Sequence, residues 1–520
     1  MSPEPRNAGR IVVGADLRRD VEERPDVCVV GSGAGGAAVA ARLAEKGLRV
    51  VVLEEGARFG REDFKMDEAT AYPALYQEKG QRATADQAIS ILQGRAVGGT
   101  TVVNWAVSYR LPERVLSHWQ KVHGVEGIDA TALAPHYAAV EERLHIHETA
   151  MADVNANNRV LWDGTGKLGI ARELVRRNVQ GCQNLGYCAM GCPIDARTSM
   201  DLTYVPDAVR AGARVYSSVR AVRVERSGRR AATVHALALD PRLDRPVGRK
   251  VVVRPKVLVL SGGAINTPEL LLRSGLDPGG RVGTRTFLHP VIASLALFPG
   301  RIDGYRGVPL SVASHAFAER GPGKVGFFLE AAPTHPMMAS TAVPGFGADH
   351  QELMSRLPNV NGLLALAIDG FLPGEEGGTV SLRGDGRVRV DYPIRPEVWE
   401  ALREGSKALA RIQLAAGAEA VYSLHPDPVV MQREADVARL DRAPWAPARV
   451  PLFSAHAMGG CGMGRDPARS VVDSRLRMHG MENVFVVDAS VFPTGLGVNP
   501  QETIFALARW AADHVAAAIG

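Results

Sequence analysis

Gly31, Gly33 and Gly36 make a G-x-G-x-x-G turn directly after the β-rich run VCVV, and Glu54 ends the next β-rich run 23 residues after Gly31. Each part suits a dinucleotide. The glycines let the backbone turn tightly and approach a pyrophosphate, the helix that follows offers free N–H groups and a positive dipole end, and the carboxylate accepts from ribose hydroxyls. The motif alone does not separate NAD from FAD. A second group of reactive side chains, Cys182, Cys188 and Cys192, falls within eleven residues and runs into Pro193, whereas Cys28 and Cys461 stand alone. Three thiols this close in a chain expected inside the cell seldom pair as disulfides and are able to bind metal. A Cys-Pro ending also occurs in bacterial iron–sulfur runs.

These residues need elements to hold them. Residues 26–60 read strand, glycine turn, helix with a Gly47 stop, strand, which is one βαβ unit. A loop-rich region follows to about residue 99, then an amphipathic stretch near 131–144, then the cysteine segment. Further βα material spans 211–276, including RVYSSVRAVRVE and KVLVLSGG. Residues 300–445 turn to Pro, Gly and short alternating strands such as GTVSLRGDGRVRVDY. The last 70 residues return to the first style with NVFVVD and the helical tail ETIFALARWAADHVAAA. The order predicts an α/β fold: a Rossmann-like nucleotide-binding domain assembled from segments 25–135, 195–300 and 446–520, a cysteine-bearing connecting segment 136–194, and an α+β substrate domain with an antiparallel sheet at 301–445.

The bulk composition bounds the function classes. With 520 residues, 46% hydrophobic, 22% charged and a net charge of +5, the chain has enough apolar residues for two or three cores and no Lys/Arg-dense block for nucleic acid. No apolar run is long enough for an integral membrane segment, and residues 1–20 lack a signal-peptide core, so the expected place is the cytoplasm, export with a partner left open.

Beyond the first turn, Gly94-Arg95-Ala96-Val97-Gly98-Gly99-Thr100-Thr101 with Asn104 resembles a signature of the glucose-methanol-choline (GMC) oxidoreductases. Gly263-Ala264-Ile265-Asn266-Thr267-Pro268 resembles a second, and HAMGGCGMG from His456 with VVDASVFPTGLGVNPQET a third. Within the family, VGFFLEAAPTHPMMASTAVPGFGADHQELM, FLHP around His289 and SAHAMG look most like the long-chain fatty alcohol oxidase branch. The run HAMGGCGMG departs from that branch, which usually has Thr-Cys-Arg-Met after the first glycine.

The resemblance favours FAD over NAD and implies oxidation of a primary, apolar or long-chain alcohol by hydride transfer to flavin N5. It puts the base at His456, a second active-site residue at Asn499, and cofactor contacts at Gly98, Gly99, Asn104, Val222, Asp488, Ala489 and Pro500. Histidine titrates near neutral pH and suits proton removal. Asn499 has a competing physical reading as a helix N-cap, with Pro500 at N1 and Glu502 as the capping-box acid. The cysteine spacing resembles that of bacterial FAD glucose dehydrogenases, whose thiols hold a three-iron four-sulfur cluster; reduced structural thiols, zinc and a labile disulfide are the alternatives. Other members of the fold act on sugars and sterols, cleave cyanohydrins or use light on fatty acids. The electron acceptor, whether oxygen, a quinone or a protein, is left open.

Overall fold

The computed structural model describes residues 9–519 apart from Leu243, so the first eight residues of the lead-in read above lie outside the described residues. Six strands, Arg10–Val13, Arg214–Ser217, Val50–Leu53, Val27–Val30, Val257–Leu260 and Val484–Val486, lie in that spatial order and pair in parallel throughout. Val27–Val30, Val50–Leu53, Val257–Leu260 and Val484–Val486 are wholly apolar and buried along their length, as a sheet covered on both faces requires. Helices Ala34–Glu45 and Gln501–Ala517 pack against each other, which joins the two ends of the chain in one domain.

The run RVYSSVRAVRVE is two strands rather than one. Ser218 takes a left-handed φ of 53° and its N–H donates to the Gly56 carbonyl at 2.9 Å. The chain thereby leaves the parallel sheet after Ser217, and Val219–Ser227 opens an antiparallel sheet with Arg230–Leu239 and Pro246–Val253.

A nine-stranded sheet forms the second domain, centred on Val291–Leu297 and Gly326–Ala331 flanking Val360–Ile368 in antiparallel register. The helix Pro396–Ala416 lays its apolar face on this sheet, and Ala156–Lys167 packs on that helix so closely that a Cβ on Gly164 would lie 2.2 Å from the Ile412 carbonyl oxygen. The boundaries expected from composition therefore shift. Strand Val291–Leu297 pairs with residues 360–366 and not with the nucleotide domain, and Ala156–Lys167 belongs to the second core and not to a connector. Ile89–Ile91 and Leu452–Ser454 also join this sheet. Composition changes where Pro and Gly content changes, whereas strand partnership is set by pairing across distant sequence. The alternating segment forms a hairpin, Gly378–Leu382 with Val388–Asp391, with Gly386 in the turn at φ 78°.

Backbone crowding at the first turn exceeds what the three-glycine motif anticipates. A Cβ on Gly31 would lie 2.3 Å from the Ser261 carbonyl oxygen, one on Gly36 2.0 Å from that of Gly31, and one on Gly35, outside the motif, 1.8 Å from that of Val487. On Gly33 the nearest neighbour would be Gly99 Cα at 3.7 Å. Gly35→Ala is therefore expected to destabilise the fold by about 1–3 kcal/mol, while Gly33→Ala costs less. Urea denaturation of both variants checks the order, and equal stabilities would refute the packing argument.

Candidate active site

One elongated cavity of about 840 Å³ runs between the two domains. That volume lies in the upper part of the range for small-molecule sites. At one end it is floored by Gly31, Gly33, Ala34 and Gly35, where helix Ala34–Glu45 begins with no side-chain cap, so its first-turn amides are available to an anion. Gly99 closes on this turn: its φ is 58°, and a Cβ there would lie 2.7 Å from Gly33 Cα. The Gly98 N–H donates to Ser32 Oγ at 3.0 Å. Gly36 and Gly98 support the turn from behind, outside the lining of the cavity.

Glu54 lines the cavity, and its carboxylate is also the fastening of the turn. Oε2 accepts from Ser32 N and Oγ at 2.8 and 2.7 Å, and Oε1 from Gly56 N at 2.7 Å. Burial pushes this carboxyl up to about 7, opposed by those hydrogen bonds. Asp488 is built the same way: Oδ2 accepts from Gly263 N at 2.8 Å and Thr267 Oγ1 at 2.6 Å, and Oδ1 from Ser490 N at 2.8 Å. It ties the start of helix Gly263–Arg273 to the end of the last sheet strand. Val222 is a correction. It falls at a register shift between Ala221 and Arg223 and stays outside the cavity, which Val219, Arg220 and Ala221 line instead.

At the other end His456 and Asn499 meet. Asn499 Nδ2 stands 3.2 Å from His456 Nε2, and both side chains line the cavity. The helix starting at Gln501 takes Pro500 as its N-cap with no side-chain cap bond, so Asn499 is not the capping residue. His456 comes from the second domain, two residues beyond strand Leu452–Ser454, and its N–H donates to Ser454 Oγ at 3.3 Å. Burial holds its imidazole down to about 4, hence neutral at physiological pH. His289 stands edge-on to it at 5.7 Å between ring centroids, and its Nε2 accepts from Gly497 N at 3.1 Å. Asp369 fixes that histidine's backbone, accepting from Leu288 N, His289 N and Tyr392 Oη. Asn104 lines the same end; its amide donates to Gln501 Oε1 at 2.8 Å and its carbonyl accepts from Ala106 N at 3.0 Å. Ala489 and Pro500 complete that wall.

The three cysteines are reduced, Cys182 exposed and the other two half-buried. Among the described residues no three His, Cys, Asp or Glu side chains converge as a metal site, so the expectation of a metal centre at these thiols finds no support in their placement. Cys192 Sγ instead accepts from Ala196 N at 3.2 Å, and burial raises the Cys188 thiol above its ordinary value. Arg197 donates to the Cys188 and Asn104 carbonyls at 2.7 Å each and to that of Val102, clamping the segment to the 99–104 turn.

Sequence reasoning missed Glu330, Trp105 and Gln501, all lining the cavity. Glu330 carried a signal, an acid inside the apolar strand run GFFLEA; Trp105 and Gln501 carried none.

A parallel nucleotide-binding sheet shares one cavity with a second sheet, and the family models that the chain matches make it an FAD-dependent oxidoreductase acting on CH–OH donors. The chain belongs to the GMC oxidoreductase family, whose N- and C-terminal domains it matches over residues 72–291 and 373–508. Residues 29–62 match the NAD(P)-binding Rossmann-like domain. An uncharacterized GMC-type oxidoreductase of Mycobacterium tuberculosis is 35% identical over 500 residues, covering 95% of this chain and 76% of the relative. A long-chain-alcohol oxidase of Arabidopsis thaliana is 29% identical, covering 93% and 67%. Among solved structures, pyridoxine 4-oxidase from Mesorbium loti superposes with a TM-score of 0.72 at 20% identity, covering 95% of this chain and 99% of that one, a likeness of fold.

FAD fits the residues present. The uncapped helix start and the glycine approach suit a pyrophosphate. At the far end Trp105 Nε1, His456 Nδ1 and Asn499 Oδ1 are buried without a hydrogen-bond partner among the described residues, as polar groups that meet a ring and a substrate would be. Among the described residues no helix is long and apolar enough to cross a membrane. The neutral imidazole gives a direct prediction: nitrogen NMR of labelled histidine is expected to show His456 titrating near pH 4, and an inflection between about 6 and 7 would contradict the burial argument.

Proposed function

We propose that the protein oxidises the primary alcohol of an apolar, long-chain substrate to the aldehyde, with His456 as base. The observation that carries this reading is the His456–Asn499 pair at the head of a cavity whose second-domain wall is aliphatic, with Val291, Ala293, Leu295, Leu364, Leu366 and Phe453 in its lining. The long-chain-alcohol oxidase relatives, matched over more than 90% of this chain, support the same substrate class.

When bound, FAD supplies the hydride acceptor, flavin N5. The amides at Gly33 to Gly35 would hold its pyrophosphate and Glu54 its ribose, with Gly99, Asn104, Asp488, Ala489 and Pro500 as the further residues that would contact it. An alcohol oxygen placed between His456 and Asn499 takes the Asn499 Nδ2 donor and gives its proton to His456 Nε2, which is free to accept because burial keeps the ring neutral. The aliphatic wall buries the alkyl chain and keeps water from the reacting carbon. Helix Gln501–Ala517 turns its positive end to the same region, a favourable field for negative charge formed during reduction.

Anaerobic mixing with a primary alkanol is expected to bleach the flavin, and His456→Ala to slow that bleaching by about 10²–10⁴-fold with FAD content retained. Equal rates in the two proteins would refute the role of His456. Ala293→Phe, which narrows the aliphatic wall, is expected to shift the preferred alkanol to shorter chains, read from kcat/KM across a chain-length series. An unshifted optimum would remove this wall from substrate recognition. Admitting oxygen to the reduced protein and measuring peroxide decides between oxidase and dehydrogenase.

A further inference from the structure

The second-domain wall of the cavity is a ladder of paired side chains. Antiparallel register sets Val291 opposite Leu366, Ala293 opposite Leu364 and Leu295 opposite Gly362, and all six residues line the cavity. Alternation sends the residues between them, Ile292, Leu363 and Ala365, to the other face, into the core with helix Pro396–Ala416. Glu330 flanks the second row on the far side of Leu364. The first row adjoins the histidines: Phe453 pairs with Val291, and His289, two residues before Val291, stands 5.7 Å from His456. The third row is at the other end, where Leu295 shares an apolar cluster with Ala339 and Leu424, while Val291, Leu364 and Leu366 belong to a separate one.

Four residues of strand lie between the first row and the third, about 14 Å at about 3.4 Å per residue. An extended alkyl chain with C–C bonds of about 1.5 Å advances about 1.3 Å per methylene, so about eleven carbons cover that span and about five cover one row. Beyond the third row stands helix Pro336–Ala342, whose Met338, Ala339 and Ala342 also line the cavity. Met338 is 36% exposed as well, so the cavity meets the surface there. The helix is not held by its own N-cap residue, His335, which makes no side-chain cap bond. Glu68 holds it instead, from the start of helix Glu68–Leu75: one carboxylate oxygen accepts from Met337 N at 2.6 Å and the other from Met338 N at 3.0 Å. Glu68 itself is 7% exposed and does not line the cavity.

Resting on the alcohol-oxidising reading of the site, we propose that the three rows and helix Pro336–Ala342 measure the length of the alkyl chain, with Glu68 as the positioning residue that fixes the helix. The chain runs from His456 along the rows, reaches the helix at about its twelfth carbon and leaves the protein past Met338. Each methylene buried on the way strengthens binding about fourfold, and those beyond the helix add nothing. The substrates favoured are unbranched primary alcohols of about twelve carbons or more.

The test uses the FAD-bound protein and the n-alkanols from butanol to hexadecanol. In anaerobic flavin reduction, kcat/KM of wild type is expected to rise about fourfold per carbon, then level at about the twelfth. Ala293→Phe should end the rise at about the sixth carbon and Ala339→Phe about five carbons later. Glu68→Gln keeps one acceptor oxygen for two amides. It should lower kcat/KM about threefold or more for dodecanol and longer chains, leave butanol to octanol unmoved, and quicken hydrogen exchange at the Met337 and Met338 amides. Should a phenylalanine variant fail to fold, Glu68→Gln decides alone. A rise ending at the same carbon in both phenylalanine variants, or a Glu68→Gln loss equal at every length, overturns the proposal. Alkyl methyl ethers, which have no hydroxyl proton to lose, separate this result from the functional reading. Their affinity, read from the oxidised flavin spectrum, should level at the same carbons. If the ethers behave so and no alcohol bleaches the flavin, the alcohol-oxidising reading falls and the measure of chain length stands. If alcohols bleach it and neither series levels as stated, the measure falls and the reading stands.

Discussion

Close backbone contact, with no room for a side chain, is the constraint on which the nucleotide domain is built. The first turn touches the end of strand Val257–Leu260 at Gly31 and Ser261, the end of strand Val484–Val486 at Gly35 and Val487, and the intervening loop at Gly33 and Gly99. These contacts bring together parts of the chain that are hundreds of residues apart in sequence, and they leave a floor of bare amides. Two buried carboxylates lock the result, Glu54 inside the turn and Asp488 between a strand end and a helix start. Neither acid is a simple ligand waiting for a ribose: each has protein donors on both oxygens, so the shape of the floor and the charge offered to a cofactor are set by the same atoms.

The parallel sheet was legible because its strands are short, uniformly apolar and bounded by turns. VCVV, RVVVL, KVLVL and NVFVV read as buried strands from composition alone, and each takes its place in the sheet. The second domain was legible as a sheet but not in its extent. Pairing between Val291–Leu297 and Val360–Ile368 depends on partners that no local pattern names. The break at Ser218 was hidden for a related reason, since a left-handed serine has no sequence mark and arises only from the pull of Gly56 on its amide.

In the site, the glycine turns, His456 and Asn499 were found from motif and resemblance, and the geometry brings the last two within 3.2 Å. The capping alternative for Asn499 was equally sound as local chemistry; Pro500 takes the cap position, and the Asn499 amide faces His456 instead. The cysteines drew attention by spacing, yet spacing along a chain says little about where three sulfur atoms point. Glu330 was overlooked since no short pattern surrounds it, and an acid in an apolar strand acquires meaning only when the facing residues are known.

The proposed base and its partner belong to different domains. His456 hangs from strand Leu452–Ser454, which hydrogen-bonds to the nine-stranded sheet, while Asn499 precedes the helix that caps the parallel one. On the proposed mechanism, the half of the reaction centre that removes the proton therefore travels with the surface that recognises the substrate. Any evolutionary remodelling that tilts or widens that sheet to admit a new alcohol carries the imidazole with it, so substrate range and proton-transfer geometry are inherited as one mechanical unit and drift together.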